Sequence, residues 1–376
     1  MPASPDVYWL ALRRVRGVGP RTSRLLLEKF GSPERIFQLR EDEIASVGVS
    51  RQVARGIREF ADFDPLEKEL CELPRIGARL LRWTDDDYPP HLRHIADPPP
   101  YLFVRGTAPL AEPKCVAVVG ARAASEAGHR MAQRLGLELA AKGFTVVSGL
   151  ARGIDAEAHQ GALDGGGRTL AVMGCGIDVV YPAEHRKLAE AIIANGGALM
   201  SELPVGTQPL AENFPTRNRI LSGICLGVVV VEAAEKSGSL ITARMALEQD
   251  RQVFAVPGSP LSGKTRGSNR LLKEGAKLVE CVEDVIEELA PQLNLPPAPE
   301  SGRAEKRSGK SVAAIPPDAP DEAKAVLNNL TGDQKLHVDA IIENCGLSPQ
   351  IVLRILLDLE LRGLVTQYPG KLFSLS

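Results

Sequence analysis

Six short apolar runs, most of them set apart by a stretch with helical spacing, leave this chain few folds to adopt. They are CVAVVG (115–120), FTVVSG (144–149), TLAVMG (169–174), ALMSE (198–202), GVVVVE (227–232) and QVFAVPG (252–258). Helical spacing falls at 125–142, 153–163, 184–195 and 239–250. A strand that is apolar throughout has no solvent face, so both of its faces must be covered. Such strands alternating with helices predict a parallel sheet wrapped by helices on both sides. Residues 79–290 are therefore expected to form an extended Rossmann-like, doubly wound α/β domain, closed by short helices at 267–274 and 282–290. Its lead-in, residues 79–110, reads as irregular and proline-rich, with one short strand at Tyr101–Val104.

Both flanks read differently. In residues 1–78 apolar side chains recur at helical spacing (Leu25, Leu26, Leu27, Phe30, then Val53, Ile57, Phe60), and a domain of short helices is expected, one that looks like a SAM-like or helix-hairpin-helix module. The turn Val15-Arg-Gly-Val-Gly19 has a shorter echo at Val47-Gly48-Val49. Residues 291–320 hold seven prolines among Ser, Gly, Ala and charges, a composition suited to a flexible linker. Residues 321–376 offer three helices and a hairpin turning at Pro369–Gly370. That pattern predicts a winged helix with Ser348 capping its long helix. On that helix only Arg354 and Arg362 are basic, which favours protein contact or weak DNA contact over operator recognition.

The formal net charge is −2 over 376 residues, so any polyanion site must be local. The six cysteines are scattered and form no CxxC pair, which argues against zinc and against a disulfide frame. No apolar run reaches membrane-span length, and the N-terminus lacks the pattern of a signal peptide. A cytoplasmic protein without membrane contact or cofactor is expected.

In open parallel sheets, ligands bind beyond the carboxyl ends of the strands. The residues at those ends are Gly120-Ala-Arg122-Ala-Ala-Ser125, Ser148-Gly149-Leu-Ala-Arg152, Gly174-Cys-Gly176 and Ser237-Gly238-Ser239. Glycine permits close approach of the backbone, and Ser caps the following helix. The free N–H groups of a helix start favour phosphate. FPTRNR (214–219) is read as a further loop of this site. Arg217 and Arg219 supply forked donors, Asn218 can reach a base edge or a backbone turn, and Phe214 offers a ring for stacking. The alternative is structural, with Phe214 in the core and the arginines paired with Glu202, Glu212 or Glu232.

Two other functions are weighed on motifs. GSPLSGKT (258–265) fits the P-loop pattern, with Lys264 as its lysine, yet a P-loop must run straight into a helix, and helical spacing resumes only near Ser268. No loop reads GxGxxG and no acid ends the second strand, which disfavours a dinucleotide. His129, His159 and His185 stand apart without triad or metal spacing, and His159 and Asp155 read as packing and helix-start residues. No enzyme is expected. The rivals are a nucleotide-binding hydrolase of the phosphoribohydrolase kind, which lacks its PGGxGTxxE signature here, and an ATPase using Lys264.

Taken in order, Gly120-Ala-Arg122, Ser148-Gly-Leu-Ala-Arg-Gly-Ile-Asp155, FPTRNR, Ser237-Gly-Ser-Leu-Ile-Thr-Ala243 and Val256-Pro-Gly258 strongly resemble the DprA family of DNA-processing proteins, over about residues 80–290. The resemblance implies a non-catalytic, homodimeric binder of single-stranded DNA. Such a protein shields incoming DNA during natural transformation and loads the RecA recombinase onto it. It also implies that Arg122, Phe214, Arg217 and Arg219 contact DNA while the glycine-rich loops and Ser237–Ser239 hold phosphate. His185 departs from the family's Pro-x-Glu-Asn, and the Lys264–Arg266 loop is a variable one.

Overall fold

The computed structural model describes residues 4–112, 114–293, 323, 326–327, 336–345, 347–361, 365–368 and 372–375. The chain divides into two compact units, Met1–Pro299 and Glu300–Ser376. The 291–320 linker lies almost wholly outside the described residues.

The first unit is built on a nine-stranded sheet. Its strands are β1 (Ala78–Arg82), β2 (Tyr101–Gly106), β3 (Cys115–Val119), β4 (Thr145–Ser148), β5 (Thr169–Val172), β6 (Ala198–Ser201), β7 (Gly227–Val230), β8 (Gln252–Ala255) and β9 (Lys277–Leu278). Their order across the sheet is β1-β2-β6-β5-β4-β3-β7-β8-β9. From β6 to β9 every pairing is parallel, as the apolar runs require. The β1–β2 and β2–β6 pairings are antiparallel. The short strand expected at Tyr101–Val104 is the start of β2, and with β1, in a stretch read as irregular, it extends the sheet by an antiparallel edge.

Period-two alternation explains the two coats. In β3, Val116 and Val118 point into one cluster with α8 (Glu126–Ala141), α9 (Ile154–Asp164) and α14 (Val282–Leu289). Ala117 and Val119 point the other way, into a cluster with α7 (Pro90–Arg93), α11 (Asn213–Ile224), α12 (Gly238–Glu248) and α13 (Arg266–Lys273). A third cluster joins α10 (Arg186–Ala194) and the inner side chains of β2, β5 and β6 to the N-terminal helices. Those are α1 (Val7–Arg14), α2 (Pro20–Phe30), α3 (Pro33–Gln38), α4 (Glu41–Ala45), α5 (Arg51–Arg58) and α6 (Asp64–Glu72). The helical segment therefore shares a core with the sheet. Its first turn depends on Gly17 at φ +86°, closed by Arg13 Nη1 donating to Val18 O at 2.7 Å.

The chain leaves β3 toward β4 on one side and returns from β6 to β7 on the other. The strand order therefore reverses between β3 and β7, and a crevice opens at their carboxyl ends.

In the second unit, α15 (Val338–Cys345) and α16 (Pro349–Leu361) pack on a sheet of order β10-β12-β11, made of β10 (Leu336–His337), β11 (Val365–Tyr368) and β12 (Leu372–Leu375). Ala323, Val326, Ile341, Val352, Leu356 and Phe373 are in its core. Two helices followed by an antiparallel ribbon give the winged-helix arrangement.

Candidate nucleic-acid interface

FPTRNR is not a loop. It forms the first half of α11, whose later residues Ile220, Leu221 and Ile224 are buried against the sheet. Burying such side chains is worth about 1.5–3 kcal/mol each, and this anchors the helix. A helix turns 100° per residue, so residues two apart face nearly opposite ways. Arg217 and Arg219 accordingly part company.

Arg219 turns away from the crevice. It is 8% exposed, with Nη2 donating to Glu202 Oε2 at 2.5 Å and Nε 3.5 Å from Asp97 Oδ2. This is one of the pairings that the structural alternative anticipates. Arg217 lies at the crevice floor, 6% exposed, where Nη1 donates to Gly149 O at 3.1 Å and Nε donates to Asn218 Oδ1 at 3.2 Å. It faces the buried carboxylate of Asp155, which accepts from Gly149 N at 3.1 Å and Ala151 N at 3.4 Å. Burial lowers the Arg217 pKa to about 10, against the pull of Asp155. Burial also raises the Asp155 pKa, although Arg217 and both N–H groups oppose the rise.

The crevice is a cleft of about 550 Å³. Gly120, Arg122, Phe214, Arg217, Asn218, Ser237, Gly238 and Ser239 line it, as do Tyr181, Ile241 and Thr242. Arg122 is exposed and has no ion-pair partner among the described residues. Its guanidinium lies 5.3 Å from the centre of the Phe214 ring, in the range of a cation–π contact. Phe214 sits close to Gly174, where a Cβ would come within 2.8 Å of the ring. Tyr181 was not singled out from the sequence. Its ring is 5.7 Å from that of Phe214, tilted by 49°, and 43% of the residue is exposed. Its aromatic character beside Pro182 was the available signal, lost in a turn read only for its glycines. Across the cleft α12 begins with Ser237 as cap, its Oγ accepting from Ser239 N at 3.4 Å and lying 2.8 Å from Ser239 Oγ. Around Gly238 the space is open.

Four other sequence-predicted residues, Ser125, Ser148, Arg152 and Lys264, do not line the cleft. Ser125 Oγ donates to Glu232 Oε2 at 2.5 Å, and Ser148 Oγ donates to Val118 O at 2.7 Å. Neither residue lines the cleft. Arg152 is exposed and makes a bidentate pair with Glu184 at 2.6 and 2.9 Å. Lys264 is exposed on a loop and does not line the cleft. That loop closes on itself. Thr265 Oγ1 donates to Ser259 O at 2.6 Å, and a Cβ on Gly258 would meet Thr265 at 2.3 Å. Helix α13 starts only at Arg266, so Lys264 and Thr265 precede it, whereas a P-loop carries these residues in its first helical turn. Among the described residues no cluster of His, Cys, Asp or Glu is placed to hold a metal, and no helix is long and apolar enough to cross a membrane.

A Rossmann-like sheet with a basic and aromatic cleft at its switch point, preceded by helices and followed by a winged helix, defines a DNA-handling class of protein. Residues 79–290 match the family model of DNA recombination-mediator protein A, residues 310–371 the DprA winged helix domain, and residues 10–64 the SAM-like helix-hairpin-helix tandem. The chain belongs to the DprA family of DNA-processing proteins. It is 42% identical over 322 residues to protein Smf of Escherichia coli, covering 84% of this chain and 83% of that one. It is 42% identical over 250 residues to DNA processing protein DprA of Streptococcus pneumoniae, covering 65% and 86%. The X-ray structure of the S. pneumoniae protein superposes with a TM-score of 0.66 at 37% identity, over 77% of this chain and 99% of that one. DNA processing protein A from Helicobacter pylori, whose structure addresses its single-stranded DNA binding mode, superposes with a TM-score of 0.52 at 28% identity, over 57% and 96%.

Proposed function

We propose that this protein binds single-stranded DNA in the cleft between β3 and β7 and hands it to a RecA-type recombinase, as a homodimer and without breaking a bond. The observation that carries the reading is the Arg122–Phe214 pair at the mouth of the cleft. An exposed arginine without an ion-pair partner among the described residues, set on an aromatic ring, meets a phosphate with one group and a base with its neighbour. The open start of α12 at Gly238 faces it across the cleft and suits a second phosphate. The reading is supported by membership of a DNA-processing family and by the single-stranded DNA binding of the H. pylori relative. Glycine-lined backbone and a local positive charge fit a strand tracked along its phosphates.

The test is fluorescence anisotropy with a labelled oligonucleotide. Wild type should bind single strands more tightly than duplex, and Arg122→Ala/Phe214→Ala should lose roughly tenfold or more, with stacking alone worth ~1–3 kcal/mol per base. Equal binding by the two proteins sinks the site. For the handover, RecA assembly on an oligonucleotide coated with a competing single-strand binder should accelerate when the protein is added. No acceleration rejects that half. Sedimentation equilibrium reads the dimer.

A further inference from the structure

Resting on that reading, we infer that Tyr181 carries the principal base platform of the cleft, and that the cleft thereby selects strands whose bases unstack easily, pyrimidine-rich ones above all. Phe214 already has three close neighbours: the Arg122 guanidinium at 5.3 Å, the Tyr181 ring at 5.7 Å, and the backbone of Gly174, which leaves no room for a methyl group. The residue is only half-exposed. Tyr181 is the more open ring, at 43% exposure, and it lines the same cleft. Phe214 then acts as the shared support of a cation on one side and a base platform on the other.

The spacing and tilt say how bases can sit. Stacked bases lie about 3.4 Å apart, so a base held between two rings needs roughly twice that, and 5.7 Å is too narrow. Consecutive bases that remain stacked on each other are nearly parallel. Two rings inclined by 49° cannot each lie flat on such a pair. A base on Tyr181 is therefore splayed from its neighbour, and the bound strand gives up one stacking step. That step costs least where stacking is weak. Preferences of single-strand binders for pyrimidine runs arise in this way, from stacking strength rather than base-edge hydrogen bonds.

The test compares oligo-dT with oligo-dA of equal length on wild type, Tyr181→Ala and Tyr181→Phe, each checked by circular dichroism. Wild type should prefer oligo-dT. Tyr181→Ala should weaken oligo-dT binding by roughly tenfold and narrow the preference, and Tyr181→Phe should restore both, because the ring is what matters. In parallel, an oligonucleotide bearing 5-iodouracil should crosslink to Tyr181 on irradiation, read by mass spectrometry. Unchanged binding by Tyr181→Ala, parity between the two homopolymers in wild type, or crosslinks at Phe214 alone would each overturn the inference while leaving single-strand binding standing. A wild-type protein that binds neither homopolymer rejects the inference together with the proposed function.

Discussion

Glu232 occupies the N-terminus of α8 through Ser125. Its carboxylate accepts from Ser125 N at 3.0 Å and from Ser125 Oγ at 2.5 Å, while the same hydroxyl accepts from Gly128 N at 3.1 Å. Glu232 is 3% exposed. The first βα turn of a Rossmann-like sheet is where a dinucleotide's pyrophosphate commonly rests. Here an internal carboxylate takes that place, and the helix dipole stabilises it.

Replacing Glu232 by Gln keeps the shape and removes the charge. Hydrogen bonds to a charged group are worth ~1.5–3 kcal/mol, and a Ser N-cap about 1 kcal/mol. We expect Glu232→Gln to lower unfolding stability by about 2 kcal/mol, and Ser125→Ala by about 1 kcal/mol. Because the two share one network, the double variant should lose less than their sum. Urea denaturation followed by circular dichroism measures all three, and strict additivity would refute the shared cap.

Arg122 and Arg219 should separate affinity from stability. Arg219 is buried between Glu202 and Asp97, and removing one partner of a buried pair costs about 3–5 kcal/mol. Arg219→Ala should therefore melt early. Arg122 is exposed, and Arg122→Ala should stay within ~0.5 kcal/mol of wild type in stability. It should instead bind oligonucleotide less tightly and lose salt dependence, by about 0.7 in the log–log slope for one phosphate contact on a single strand. A melting loss for Arg122→Ala, with Arg219→Ala unaffected, would reverse these assignments.

The parallel sheet was legible because its strands are apolar on both faces, a pattern with few other uses. Of the antiparallel edge, the strand expected at Tyr101–Val104 was legible and begins β2, while β1 was not. Strand β1 reads ARLLR, half-polar and followed by a proline-rich stretch, and it is a strand because of its pairing with β2, from Ala78 opposite Arg105 to Arg82 opposite Tyr101. Strand β9 has two residues, too few for any periodicity. FPTRNR was misread as a loop because its apolar stripe begins only at Ile220, and because Pro215 and Asn218 are common turn residues. That error hid the divergence of Arg217 from Arg219, which follows from helical geometry alone. The serines after β3 and at the end of β4 looked like ligand groups by type. Their bonds to Glu232 and to Val118 O are tertiary and leave no trace in local sequence.

His159 should make the protein acid-sensitive. It is fully buried, with Nδ1 2.7 Å from Thr169 Oγ1 and Nε2 without a partner among the described residues. Burial, with His185 and Arg217 nearby, lowers its pKa from 6.5 to about 3. A depressed folded-state pKa contributes stability that is present above 6.5 and lost as pH falls toward about 3. Within that window the slope approaches 1.4 kcal/mol per pH unit, roughly. His159→Asn, which keeps a polar group near Nδ1, should show a flatter acid limb in urea denaturation repeated from pH 7 to pH 4. Parallel limbs would mean that another group carries the acid response.

Gly149 and Gly238 should respond differently to the same added methyl group. At Gly149 a Cβ would fall 2.5 Å from Arg217 Nη2 and 2.7 Å from Asp155 Oδ2. Both groups are buried and cannot swing aside, so Gly149→Ala should cost about 1–3 kcal/mol and displace Arg217 from the cleft floor. Oligonucleotide affinity should fall with stability. At Gly238 no atom lies within 4 Å of the Cβ position, and the residue opens α12. Alanine there should leave stability unchanged or raise it slightly, since it restricts the unfolded chain. Its methyl group would nonetheless stand where a phosphate approaches the helix start, so affinity should fall alone. Thermal melts paired with anisotropy distinguish the two cases. If Gly238→Ala binds as wild type does, the strand does not approach the start of α12, and its phosphates must be held by Arg122 and Arg217 without that helix.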